Sequence, residues 1–121
     1  MNLPKIFPMQ TIDNAKPHLK MVVEHILLLP ELCPASRNPQ SGSTLTLSYN
    51  AREKLLELFS LDKHIQSYIA HPIVRDMEYF TQTIAQSAAN ILQNAVTATA
   101  ELQYNRLAQR QKIIVYATPE Y

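Results

Sequence analysis

Leu32-Cys33-Pro34-Ala35-Ser36-Arg37-Asn38-Pro39-Gln40-Ser41-Gly42-Ser43, running at once into Thr44-Leu45-Thr46-Leu47-Ser48-Tyr49, decides how this chain is read. It holds the only cysteine and the only glycine among 121 residues. Two prolines frame the turn, and Gly42 is free to take a positive φ, so the stretch predicts a shaped loop between two strands. The strand after it alternates Leu45 and Leu47 against Thr44, Thr46 and Ser48, the period of a half-buried strand. The strand before it spans His18 to Leu29, with Val22, Val23, Ile26 and the run Leu27-Leu28-Leu29, and ends at Pro30. Paired, the two make a long hairpin. A lone cysteine in a polar loop is a candidate nucleophile or metal ligand. The plainer alternative is a small buried thiol, since free cysteine is among the most buried residue types.

Outward from the loop, residues 1–17 carry Pro4, Pro8 and Pro17 and little periodicity, which predicts an irregular arm. Asn50 to Lys54 is a polar connection, and Leu55 to Phe59 a short strand or a continuation. Ser60 is placed to cap a short helix over Leu61–Ile69, stopped by Pro72. From Val74 the pattern turns helical. Met77, Phe80, Ile84, Ala88, Ile91 and Ala95 recur at steps of three and four until Gln93-Asn94. Val96–Gln103 alternates again, Asn105–Gln111 is a polar hairpin loop, and Lys112–Thr118 is a last β-branched strand. Strand, strand, helix, helix, strand, strand is an α+β order: a four-stranded antiparallel sheet with two helices on one face.

The length bounds the chain to one domain, 1–121. A single cysteine excludes an internal disulfide and fits a reducing cytoplasm. The start carries no basic-then-apolar pattern of a secretory signal, and the longest apolar stretch is too short for a membrane span. A net charge of +1 with mixed signs gives no footprint for nucleic acid or for a membrane surface. One glycine excludes a glycine-rich phosphate loop.

Three constellations carry chemistry. Cys33 adds to an electrophilic carbon, such as a nitrile or a carbonyl, if neighbours lower its pKa, and Arg37 is four residues away. Glu78, near the start of the long helix, is favoured there by the helix dipole and suits a guanidine-like N–H and NH2 edge; the plainer reading is an ordinary first-turn acid. The histidines form two pairs seven apart, His18 with His25 and His64 with His71, and neither has zinc spacing. Asp76 with Glu78, and Glu53 with Glu57, read as solvated acids rather than as an acid/base dyad.

Over about residues 30–92 the chain resembles the tunnelling-fold enzymes of purine and pterin metabolism, and most closely the 7-cyano-7-deazaguanine reductases of queuosine biosynthesis. The family's Leu-Cys-Pro loop with a following proline, leading into a strand ending Ile-Ser-Tyr, is matched by Leu32-Cys33-Pro34 through Pro39 and Leu47-Ser48-Tyr49. Its cofactor segment corresponds to Glu57 through Tyr68, and its His-Glu pair to Met77-Glu78. The resemblance implies that Cys33 forms a thioimide with the nitrile, that Glu78 anchors the deazaguanine edge, and that Ser60 lies in the segment touching the nicotinamide cofactor. Gln40 stands where the family has an acid, Met77 where it has a histidine, and Phe59 and Asp62 where it has lysines.

Lys63, His64 and His71 are the groups nearby that can stand in. The candidate catalytic residues are thus Cys33, Gln40 and His71; the candidate substrate-binding residues are Glu78, Ser60 and Met77. The resemblance brings NADPH as a candidate cofactor. Without its lysines, another nucleophile such as ammonia replaces hydride, as in amidine-forming relatives. No metal is assigned. The fold implies a homo-oligomeric ring or stacked rings closing the sheet into a barrel, with Cys33 and Glu78 meeting between subunits. Two alternatives remain open. One is a non-catalytic purine- or pterin-binding protein of this fold. The other is a metal-dependent cyclohydrolase acting on GTP, whose Val-Glu-Asp-Met helix start resembles Val74-Arg75-Asp76-Met77.

Overall fold

A computed structural model describes residues 3–120. Its elements are β1 (Thr11–Asp13), β2 (Val22–Leu28), β3 (Thr44–Asn50), β4 (Lys54–Leu56), α1 (Leu58–Gln66), α2 (Met77–Leu92), β5 (Val96–Gln103) and β6 (Arg110–Ala117). The main sheet has the order β2-β3-β5-β6, antiparallel throughout, and β1 pairs with β4 in a separate two-stranded sheet. The fold is therefore α+β, with the expected element order plus two short strands, β1 and β4.

The alternation of β3 and β5 sorts their side chains cleanly. Leu45, Leu47 and Tyr49 of β3, and Val96, Ala98, Ala100 and Leu102 of β5, are buried. Burying each such leucine stabilises the fold by about 1.5–3 kcal/mol relative to exposure. The core closes with Leu61 and Ile65 of α1 and Phe80, Ile84, Ala85, Ala88, Ala89 and Leu92 of α2. α2 lies against β5 and β6. It starts at Asp76, whose carboxylate accepts from Tyr79 N at 2.7 Å, and ends on Gln93 in the left-handed conformation. Leu92, not Ile91, completes its buried face, and Ala95 lies beyond the helix.

Four expectations need correction. β2 starts at Val22 rather than at His18, because Lys16 N is bonded to the Asn14 side chain and Leu19 N to Lys16 O, closing a turn after Pro17. The arm is not wholly irregular: Thr11–Asp13 pairs with Lys54–Leu56, and Met9 is buried; residues 1 and 2 of that arm lie outside the described residues. α1 is capped by Glu57, whose carboxylate accepts from Phe59 N at 2.7 Å and Ser60 N at 2.8 Å, not by Ser60. β6 starts at Arg110, so Gln111 belongs to a strand, opposite Leu102.

Candidate functional site

The turn after β2 is held in shape by its own backbone. Leu32 N and Cys33 N both donate to Asn38 O at 3.0 Å, and Arg37 N donates to Cys33 O at 2.8 Å. The turn is then fastened on two sides. Ala70 N donates to Leu32 O at 2.8 Å, which brings the segment between α1 and α2 beside the cysteine. Asn105 donates from its backbone to Asn38 Oδ1 and from its side chain to Arg37 O, each at 2.6 Å, which ties the β5–β6 hairpin to the other side.

These three segments and the first turn of α2 enclose a cavity of about 870 Å³. Cys33, His71, Met77 and Glu78 all line it, together with Ser36, Arg75, Tyr104 and Gln111. Four of the six sequence-predicted residues therefore meet in one place, and Cys33 and Glu78 do so within one chain rather than across an interface between subunits as expected. Gln40 and Ser60 do not. Gln40 is exposed in a neighbouring polar depression with Arg37 and Arg106, its backbone N–H donating to Gln103 O. Ser60 is buried under the N-terminal segment: its hydroxyl accepts from Gln10 N at 2.9 Å and donates to Glu57 O at 3.0 Å.

The Cys33 thiol is held below its ordinary pKa chiefly by the Ser36 hydroxyl, then by the Ser36 backbone N–H, with smaller help from Ala35 N–H and the Arg75 guanidinium. Donors and positive charge favour the thiolate over the thiol. Arg37, the neighbour suggested by spacing, instead pairs with Glu31 at 3.0 Å. His71 Nδ1 accepts from Ile73 N at 3.1 Å and Val74 N at 2.9 Å. The neutral ring therefore carries its proton on Nε2. Met77 is buried at the cavity floor, a packing role rather than a polar one. Glu78 Oε2 accepts from Gln111 Nε2 at 3.0 Å, and its other oxygen has no partner among the described residues.

Sequence reasoning missed Ser36, Arg75, Tyr104 and Gln111. The one signal for Gln111 is that it directly precedes the β-branched last strand. Two of the other histidines, His25 and His64, serve the fold, and His18 is exposed outside the cavity. His25 Nε2 lies 2.9 Å from the Tyr49 hydroxyl, and buried His64 uses Nδ1 on Phe7 O at 2.7 Å. Among the cavity-lining residues Arg75 is the one cation of fixed charge and there is no lysine; Phe59 and Asp62 are exposed elsewhere. That lining does not fit the phosphates of NADPH. Among the described residues no three His, Cys, Asp or Glu side chains gather to hold a metal ion. No helix there is long and apolar enough to cross a membrane. Neither a comparison with protein-family models nor one with curated proteins returns a match to this chain.

Proposed function

We propose that this chain is a tunnelling-fold subunit that processes a 7-deazaguanine nitrile through covalent addition of Cys33. The observation that carries the reading is the pairing, in one cavity, of an acidified thiol with a carboxylate that has a free oxygen. The cavity volume lies within the range of small-molecule sites. The antiparallel β2-β3-β5-β6 order with both helices between β4 and β5 is compatible with the fold. A homo-oligomeric ring belongs to the same proposal.

The chemistry runs as an addition followed by a substitution. Cys33 Sγ bonds to the nitrile carbon, one C–N π bond breaks, and the thiol's proton ends on the nitrogen, giving a thioimide. His71 Nε2–H is the donor assigned to that nitrogen as charge develops on it. Glu78 accepts the N–H and NH2 edge of the base and fixes its orientation. Ammonia then adds to the thioimide carbon, the C–S bond breaks, and Cys33 leaves as a thiol with an amidine as product. Ammonia is preferred to hydride because the lining lacks lysines for a dinucleotide phosphate.

Intact-mass measurement after incubation with 7-cyano-7-deazaguanine, without nicotinamide cofactor, tests this. The wild-type protein gains the mass of one nitrile, and Cys33→Ala gains none. An unchanged mass in the wild type overturns the covalent step. Tight binding of the nitrile without a mass gain favours the non-catalytic reading, for which the position of Gln40 outside the cavity speaks.

A further inference from the structure

Glu78 is one end of a three-residue chain. Gln111 donates from Nε2 to Glu78, and its Oε1 lies 2.5 Å from the Tyr104 hydroxyl. The polarity of this chain is forced. An ionised carboxylate only accepts, so Gln111 must turn its NH2 to Glu78 and its carbonyl to Tyr104, which must donate. Burial, with help from the charge of Glu78, pushes the Tyr104 phenol up, so it keeps the proton it donates. Gln111 is fixed by its strand register opposite Leu102, and Tyr104 follows β5 directly, so one hairpin carries both.

We infer that Gln111 and Tyr104 are positioning residues: they lock the Glu78 carboxylate in the single orientation in which its free oxygen meets the ligand. The inference rests on Glu78 being the ligand anchor. Glu78 lies in the first turn of α2 and is exposed, and among the described residues no other hydrogen bond or ion pair holds its side chain. Remove Gln111 and the carboxylate samples several rotamers, of which one binds. Remove the Tyr104 hydroxyl and the Gln111 amide is free to flip, setting its carbonyl against the carboxylate.

The test follows the concentration dependence of adduct formation with 7-cyano-7-deazaguanine in wild type, Gln111→Leu and Tyr104→Phe. The half-saturating concentration rises about tenfold in Gln111→Leu and about threefold in Tyr104→Phe, while the limiting rate at Cys33 is kept. An unchanged half-saturating concentration in both, or a fall confined to the limiting rate, overturns the inference. A ligand-free readout separates this from failure of the thioimide reading. The ¹⁵N–¹H resonances of the Gln111 side-chain amide shift in Tyr104→Phe and in Glu78→Gln. Resonances that ignore both substitutions overturn the chain even if the wild type forms the adduct.

Discussion

Cys33 owes its lowered pKa to groups that a linear reading ranks poorly. Ser36 is three residues away and acts through its hydroxyl and its N–H, whereas Arg75 is distant in sequence and arrives only because Ala70 N–H binds Leu32 O. The apparent helper, Arg37, is turned away by Glu31. Alkylation by iodoacetamide across a pH series reads this directly. Its midpoint in wild type lies below that of an ordinary thiol, and Ser36→Ala moves it up, because removing a donor favours the protonated form. Arg75→Gln moves it up less, as the smallest of the contributions. A midpoint indifferent to Ser36→Ala would refute the local origin of the acidity. The cysteine itself was legible because it is alone and framed by prolines. Its partners were not, because hydrogen bonds between loops leave no period in a sequence.

At the scale of elements, the strong periods were readable and the short pairings were not. β5 and α2 follow from alternation and from steps of three and four. β1 spans three residues and exists only through its partner β4, so nothing local marks it. The α1 cap is ambiguous in the sequence, because a carboxylate at Glu57 and a hydroxyl at Ser60 can each accept from the first N–H groups of a helix. The buried Ser60 hydroxyl goes instead to Gln10 N, and Glu57 N–H donates to Gln10 O.

The same docking surface makes α1 sensitive to acid. Burial lowers the pKa of His64 from 6.5, outweighing the Phe7 carbonyl, and among the described residues Nε2 has no hydrogen-bond partner. Burial also lowers that of His25. A group with a depressed folded pKa binds its proton more readily when unfolded. Stability is therefore full above pH 6.5 and falls as pH drops from there through the depressed values, by up to about 1.4 kcal/mol per pH unit per histidine. Urea unfolding between pH 7.5 and 5 shows that fall, and His64→Gln makes it shallower; equal slopes would exclude His64 as the cause.

For the whole molecule, the helices cover one face of the main sheet and leave the other bare. On that bare face Ile26 and Leu28 of edge strand β2 are 68 % and 79 % exposed, and Tyr116 of edge strand β6 is 78 % exposed. Long apolar edges invite pairing with another chain. The proposed ring uses them, so sedimentation gives a defined assembly of several copies, and Leu28→Glu shifts it towards monomer with folding intact. A stable wild-type monomer counts against the ring. The two hairpins β2–β3 and β5–β6 were within reach of the sequence, whereas the central β3–β5 pairing, joined through β4 and both helices, was not. The cavity was only half legible, since it is built where four segments from distant parts of the chain meet.

One contact layer has a consequence of its own. Ala85, Ala88 and Ala89 of α2, and Ala98 and Ala100 of β5, are all fully buried where helix and sheet adjoin. The smallest apolar side chains set the gauge there, so the spacing has no slack to give up and can only be widened. Glu78 rides on the helix and Gln111 on the sheet. Any bulkier residue in that seam acts as a shim, lengthening the Glu78–Gln111 contact without touching either side chain.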